Sequence, residues 1–182
     1  MKYLSASLST ALLLTLIAFG NSGCSSDKAD AKNDSKTVKN DDATPGFTTF
    51  ETAFAQAKDT KKMVLVDVYT DWCVWCKRMD HDTYPDPKVQ AELTKYFTAA
   101  KLNAESTTMR TFKGALNSEQ QIASHWGVTG YPTLVFMTAD GEVVQTIPGY
   151  VPPAEFPYVL KFFGSGAYQT TQDYQAWKKA QS

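Results

Sequence analysis

Residues 66–77 read "VDVYTDWCVWCK". The stretch places Cys73 and Cys76 two residues apart among tryptophans, and it puts Asp67 in an otherwise apolar run. A cysteine pair with this spacing can serve as a metal clip, a structural disulfide or a reactive dithiol. The carboxylate raises a second question, because burying an ionised group without a partner is costly.

The segments around this stretch predict alternating helices and strands. The apolar, β-branched run at residues 63–70 predicts a strand buried on both faces, followed by a helix that begins at the cysteines and runs to about His81. Apolar residues at helical spacing predict an amphipathic helix over residues 48–60, and residues 96–103 are a second strand candidate. Apolar runs on both sides of the Asp-Gly pair at residues 140–141 predict a hairpin. The pattern predicts an α/β fold.

Chemistry favours a redox role for the cysteine pair. A structural zinc site needs about four ligands, and the domain adds only His81 and His125, at a spacing that does not fit a zinc finger. A disulfide that spans two residues constrains the unfolded chain very little. At the start of a helix, Cys73 meets unpaired N–H groups and the positive end of the helix dipole, which stabilise a thiolate. Cys76, one turn further on, is expected to be shielded and to act as the resolving thiol.

Three motifs then occur together: Trp-Cys-x-x-Cys-Lys, "KLNAE" at residues 101–105 and "HWGVTGYPTLVF" at residues 125–136. In this combination residues 47–165 resemble the thioredoxin superfamily. They most resemble its periplasmic domains that pass electrons outside the cytoplasm, including the C-terminal domain of the transmembrane thiol:disulfide interchange reductase. The resemblance implies a thioredoxin-like fold, a central mixed β-sheet flanked by helices. It also implies that Cys73 and Cys76 form a redox disulfide that needs no cofactor and no metal.

The resemblance gives the buried carboxylate a role. The family carries a buried acid six residues before the first cysteine, and Asp67 stands six residues before Cys73. Such an acid can accept and return the proton of Cys76. Lys101 matches the family lysine that can pair with this acid. The alternatives are that the strand reaches the surface at Asp67 and that Lys101 faces solvent.

The same comparison assigns a substrate surface. Pro132 matches the family's cis-proline, which packs over the cysteines, discourages metal capture and exposes the backbone of Tyr131 for pairing with a substrate strand. An ordinary trans proline is the alternative. Trp72 and Trp75 are expected to form a rim and a lid for the dithiol, with core packing as the alternative for each.

The chain departs from thioredoxin in two places and extends beyond it. Val74 and Trp75 replace the Gly-Pro dipeptide that thioredoxin has between its cysteines, which leaves the direction of electron flow open. Residues 105–117 are an insertion, either a loop beside the active site that sets partner choice or a passive surface loop. Residues 167–182 predict a C-terminal helical extension whose aromatic rings dock on the domain.

The N-terminal part of the sequence is typical of an exported protein. Residues 1–23 combine Lys2 with an apolar run of nine residues, which suits a signal peptide and is shorter than the ~20 residues that span a bilayer. The following "NSGCSS" resembles a lipobox, in which Cys24 is lipidated; ordinary cleavage that leaves a loose thiol is the alternative. Residues 24–46 carry nine charged residues and are interpreted as a flexible tether to a domain at residues 47–166.

The sequence therefore predicts a thiol–disulfide oxidoreductase of the bacterial cell envelope, lipid-anchored on the periplasmic side. Its expected partners are exported proteins with disulfides, which it reduces, and a membrane or periplasmic thiol that donates electrons. A net charge of −1 gives no reason to expect a nucleic-acid partner. A dithiol oxidase or isomerase, or a protein that binds Cu(I) through the two thiolates, are the alternatives. The absence of nearby Met or His ligands and the expected cis-proline count against copper.

Overall fold

A computed structural model describes residues 44–181. The predicted signal peptide, Cys24 and the predicted tether as far as residue 43 lie outside the described residues. Within residues 44–181, none of the helices has the length and apolar character needed to cross a bilayer.

The described residues form strands and helices that alternate through most of the chain. In chain order they are β1 (Phe47–Thr48), α1 (Phe50–Thr60), β2 (Met63–Tyr69), α2 (Val74–Arg78), a π-helical turn (Met79–Thr83), α3 (Pro87–Tyr96), β3 (Phe97–Asn103), β4 (Met109–Phe112), β5 (Ala115–Ser118), α4 (Glu119–His125), β6 (Thr133–Met137), β7 (Val143–Pro148), α5 (Phe156–Gly164), a 3₁₀ turn (Ala167–Gln169) and α6 (Tyr174–Lys179).

Five strands form the central sheet, in the order β1-β3-β2-β6-β7. β1 and β2 run parallel to β3, whereas β6 is antiparallel to β2 and β7 is antiparallel to β6. The central strand β2 is buried from Val64 to Val68, as its apolar and β-branched sequence predicts. The prediction of an α/β fold with a mixed sheet flanked by helices is confirmed.

The alternation of side chains along β2 divides its residues between two cores. Val64, Val66 and Val68 pack in a core with residues of α1 and α4. Leu65 packs in a second core with residues of α3 and α5. Because Asp67 alternates with the valines, its carboxyl group points to the same face as Leu65.

The helix that follows the cysteines changes its hydrogen bonding partway along. It is an α-helix as far as Arg78 and then opens into the π-helical turn, closed where the N–H of Tyr84 donates to the Met79 carbonyl at 3.0 Å. The expected end near His81 falls within this turn. Single π-helical turns are frequent at functional sites because they re-aim side chains.

The inserted residues 105–117 contain most of the hairpin formed by β4 and β5. Phe112 on β4 anchors it, with ring centroids 5.3 Å from Phe54, 5.5 Å from Trp126 and 6.0 Å from Phe50. The insertion is therefore an ordered hairpin that packs on α1 and on the end of α4.

The C-terminal helix α6 docks on α5 through aromatic rings. The ring centroid of Phe162 lies 5.3 Å from that of Tyr174 and 5.1 Å from that of Trp177. Glu155 adds polar contacts, accepting a hydrogen bond from the Tyr174 hydroxyl and pairing with Lys178. The two rings are held against the domain.

Candidate active site

The cysteine pair lies just beyond the carboxyl end of β2. The chain turns after Tyr69, the Cys73 N–H donates to the Thr70 carbonyl at 3.1 Å, and Cys73 caps the N-terminus of α2. Cys73 and Cys76 are joined by a disulfide bond, and the Cys76 N–H donates to the Cys73 sulfur at 3.0 Å. The same N–H is placed to stabilise a Cys73 thiolate once the bond is reduced.

Both cysteines are largely covered. Cys73 is 3% exposed and Cys76 is 2% exposed, although the sequence predicted shielding of Cys76 alone. The exposed apolar side chains beside them are those of Val74 and the two tryptophans. A substrate therefore meets this apolar rim before it reaches a sulfur atom.

The loop before β6 brings a proline to the same place. The peptide bond between Tyr131 and Pro132 is cis, as the resemblance implies. Thr133, the next residue, pairs with Val68 across the antiparallel strands, so the cis bond lies at the end of β2 that leads to Cys73. The Pro132 carbonyl accepts a hydrogen bond from the Gly149 N–H at 2.7 Å.

Asp67 is fully buried, so the strand does not reach the surface there. It is in register with Lys101 on β3 and with Leu134 on β6. The Lys101 ammonium lies 3.2 Å from Asp67 Oδ2, but no hydrogen bond with good geometry reaches either carboxyl oxygen from the residues that the structure describes. Desolvation by burial raises the pKa of Asp67, and the charge of Lys101 only partly opposes this rise.

Lys101 is enclosed by aromatic rings and a second carboxylate. Its ammonium lies 5.0, 5.6 and 5.9 Å from the ring centroids of Tyr69, Tyr84 and Phe47. It also lies 2.5 Å from Asp80 Oδ1. Desolvation lowers the pKa of Lys101, but the two carboxylates together outweigh it and leave this pKa raised. Lys101 is therefore a cation held between two acids, and it does not simply face solvent.

Sequence reasoning missed Asp80, which completes this group. Asp80 lies in the π-helical turn four residues after Cys76, and the Thr44 hydroxyl donates to its Oδ1 at 3.1 Å. The spacing of four residues from a cysteine on a helix was an available signal. The buried Tyr84 was missed as well, and desolvation, followed by the nearby Asp67 carboxylate, raises its pKa well above the usual value.

An open cleft of about 710 Å³ connects this group to the surface. Its lining includes Cys76 together with Tyr69, Asp80 and Lys101. The cleft is wide enough for water, which can carry a proton between a thiol and the acids behind it. The structure thus brings Cys76, Asp80 and Lys101 to one cleft, and Lys101 connects this cleft to the buried Asp67.

Trp72 and Trp75 flank the disulfide and stay exposed, at 63% and 52%. Neither ring belongs to a core. The Trp72 indole N–H donates to the Glu105 carboxylate at 3.0 Å, and its ring centroid lies 5.9 Å from that of Tyr131. The Trp75 centroid lies 5.6 Å from that of Tyr150. The contacts of Glu105 and Tyr150 with these two rings were not predicted from the sequence.

Comparison with known families places this site in a recognised domain. Residues 50–164 match the family described as "Thioredoxin-like domain". A protein named thiol:disulfide interchange protein DsbD from Vibrio vulnificus is 36% identical over 104 residues, which are 56% of this chain and 16% of that protein. The chain thus spans about one sixth of the length of the curated relatives it matches first.

Solved structures agree on the fold. A thioredoxin-fold protein from Helicobacter pylori has a TM-score of 0.59 at 24% identity, covering 68% of this chain and 88% of that one. A thioredoxin from Thermus thermophilus has a TM-score of 0.53 at 26% identity, covering 66% of this chain and 88% of that one.

We expect replacement of the buried acid to stabilise the protein in a pH-dependent way. Because the pKa of Asp67 is raised in the folded state, folded wild-type protein holds this proton to higher pH than unfolded protein does, and stability falls as pH rises from about 3.9 through the raised pKa. The Asp67→Asn variant lacks this fall. Its free energy of unfolding, measured in urea, should exceed that of wild type by roughly 1–2 kcal/mol at neutral pH and by less near pH 4.

Asp59→Asn is the matched control, because Asp59 is exposed on α1. The free energy of unfolding of this variant should differ little from that of wild type at any pH. An Asp67→Asn variant that is no more stable than wild type at pH 7 would contradict the desolvation argument.

Proposed function

This chain belongs to the thioredoxin-like domain family, and we propose that it is a thiol–disulfide oxidoreductase that reduces disulfides in exported proteins. The observation that carries the proposal is the disulfide between Cys73 and Cys76 at a helix start, beside a cis-proline and a buried acid. The related proteins named for thiol:disulfide interchange support the same chemistry.

The first step uses the reduced pair. The Cys73 thiolate, held by the Cys76 N–H, attacks one sulfur of the substrate disulfide. A bond forms between Cys73 and that sulfur, the substrate S–S bond breaks, and the departing substrate thiolate takes a proton from solvent. The product is a mixed disulfide, flanked by the rings of Trp72 and Trp75.

The second step releases the substrate. Cys76 attacks the Cys73 sulfur and gives its proton, through water in the cleft that it lines with Lys101, to Asp67, whose Oδ2 lies 3.2 Å from the Lys101 ammonium. The Cys73–Cys76 bond forms, the mixed disulfide breaks, and the second substrate thiolate takes a proton. Two electrons have then passed from the pair to the substrate. Of the two protons on the substrate thiols, one comes from solvent and the other comes from Cys76 by way of Asp67, and an external thiol must restore the pair.

Lys101 influences the protonation of Asp67. Burial alone would hold Asp67 protonated, and a protonated acid cannot accept a proton. The ammonium at 3.2 Å favours the carboxylate and opposes the rise in pKa that burial causes, so that Asp67 can take up the proton that Cys76 releases. Lys101 thus acts on the acid and not on the sulfur.

The charges near the pair favour electron donation. A dithiol is a strong oxidant when its reduced form is stabilised as a thiolate. Here two carboxylates, Asp67 and Asp80, share one ammonium beside the cleft that Cys76 lines. This excess of negative charge disfavours a thiolate, which weakens the reduced form and makes the pair a better reductant.

Substitution of each cysteine tests the order of attack. In a Cys24→Ser background, so that only the pair can react, Cys76→Ser should accumulate a mixed disulfide with a disulfide-bonded test protein such as insulin. Cys73→Ser should accumulate none, because it has lost the nucleophile. Non-reducing electrophoresis and mass spectrometry measure the adduct. Equal adduct formation by the two variants would overturn the assignment of Cys73.

The role of Asp67 is tested by separating the two steps in time. In stopped-flow experiments with a disulfide substrate, Asp67→Asn should leave the first attack largely intact and slow the resolving step by about 10²–10⁴-fold. The difference in the rate of the resolving step between this variant and wild type should become smaller at alkaline pH, because a thiol ionises unaided above about pH 8.5. Asp59→Asn serves again as the control. Resolution by Asp67→Asn at the wild-type rate would remove Asp67 from the mechanism.

The location is a second part of the proposal: the mature protein is anchored in the cell envelope by lipid on Cys24. It rests on the lipobox resemblance, and the 22 residues from Ser25 to Gly46 could span roughly 25 Å as a flexible coil. Wild-type protein should partition with membranes, and Cys24→Ser should release it or block its processing. Soluble wild-type protein with an N-terminus other than Cys24 would refute the anchor.

A further inference from the structure

The two exposed tryptophans beside the disulfide are held by side chains of opposite charge. Trp72 is hydrogen-bonded to the carboxylate of Glu105. Trp75 stacks against the guanidinium of Arg78, whose central carbon lies 5.3 Å from the ring centroid. We call these the acidic side and the basic side of the rim.

The acidic side holds two carboxylates in fixed positions. Asn103, the last residue of β3, donates from its amide to Asp71 at 3.1 Å and accepts from the Glu105 N–H at 3.0 Å. Glu105 in turn fixes the Trp72 indole, and the Tyr131 ring packs on the same indole. Asp71 and Glu105 are both exposed, so their charges are available to a bound polypeptide.

The inserted hairpin makes this arrangement rigid. Arg110 on β4 pairs with the buried Glu119 at 2.7 Å and also lies 3.4 Å from Glu51. The other carboxyl oxygen of Glu119 accepts the backbone N–H of Asn103 at 2.9 Å. A continuous set of polar contacts therefore joins the hairpin, Asn103 and the acidic side of the rim.

The basic side is formed by α2 and the loop after β7. The Arg78 guanidinium lies 5.3 Å from the ring centroids of both Trp75 and Tyr150, and the side chain stays 55% exposed. Its Nε donates to Asp82 at 3.1 Å, and Asp82 also contacts His81. The neighbouring Lys77 is exposed. The side chains of Lys77, Arg78 and Asp82 contribute two cations and one carboxylate, which leaves this side positive.

We propose that this polarised rim selects the substrate segment by charge. The preferred partner is an extended polypeptide whose reacting cysteine has a basic residue on one side and an acidic residue on the other. The basic residue lies against Asp71 and Glu105, and the acidic residue lies against Lys77 and Arg78. The inference rests on the proposed function, since it names which disulfides the pair reduces.

The expected size of this preference follows from the exposure of the charges. Exposed ion pairs are individually weak, and they act mainly on encounter rate and orientation. A substrate with its charges in the preferred order gains two such pairs, whereas a substrate with the opposite order meets two like charges. The two orders should therefore differ about fivefold to tenfold in kcat/KM. The difference should shrink in high salt, because exposed charges are screened over about 3 Å at 1 M.

Two peptides of identical composition test the proposal. Each carries one cysteine in a mixed disulfide with a chromogenic thiol; one peptide has Lys two residues before the cysteine and Glu two residues after, and the other has them exchanged. The reduced protein should favour one peptide by the factor given above at low salt. Loss of most of that difference at high salt is also expected.

Variants then assign the preference to the rim. Glu105→Gln keeps an acceptor for the Trp72 indole but removes the charge, and it should lower the preference. Combined with Asp71→Asn, Lys77→Gln and Arg78→Gln, it should abolish the preference. The matched control exchanges the exposed charges of Lys58 and Asp59 at the end of α1, next to the start of β2 and away from the dithiol. That control should keep the full preference.

The outcomes separate this inference from the proposed function. Reduction of neither peptide would overturn the proposed function itself. Equal reduction of both peptides would overturn the charge selection while leaving the oxidoreductase intact. A preference that survives in the quadruple variant would show that charges outside the rim cause it and would also overturn the inference.

Discussion

A carboxyl group buried in the middle of the central strand sets the conditions for everything around it. Asp67 is fully buried, so its ionised form depends on the ammonium of Lys101, which lies 3.2 Å away. When Asp67 is protonated, it no longer compensates the buried charge of Lys101. Asp80 then supplies a second carboxylate, 2.5 Å from the ammonium. Three aromatic rings close the space around the ammonium. The π-helical turn places Asp80 beside Lys101 and therefore helps to stabilise the buried Asp67.

The parts of the fold that the sequence predicted are those with a local signal. β2 is a continuous apolar run, the first helix has its apolar residues at helical spacing, and the Asp-Gly pair at residues 140–141 marks a hairpin. The hairpin of β4 and β5 gave no such signal, because its turn is Lys113-Gly114 and its strands do not alternate between apolar and polar residues. Both turn residues have positive φ, which a lysine rarely adopts.

The sequence predicted those site residues whose spacing along the chain determines that they lie close together in the fold. Asp67 and the cysteines are fixed by one strand and one helix, and the resemblance supplied Lys101 and Pro132. Glu105 and Arg78 belong to the rim through contacts that depend on where the hairpin and the loop after β7 lie in space. The spacing of four residues between Cys76 and Asp80 indicated only that both lie on one side of a helix. The contact of Asp80 with Lys101 depends on the change from α to π hydrogen bonding, which no pattern in the sequence predicted.

Strand β3 joins the chemistry of the site to the surface around it. Lys101 and Asn103 are two residues apart on this strand and so point to the same face. Lys101 serves the buried acid, whereas Asn103 holds the two carboxylates beside Trp72. The parallel register that pairs Asp67 with Lys101 also pairs Tyr69 with Asn103. A shift of this register by one residue would turn both side chains to the opposite face of the sheet. The proton acceptor and the charged rim therefore depend on one alignment of two neighbouring strands.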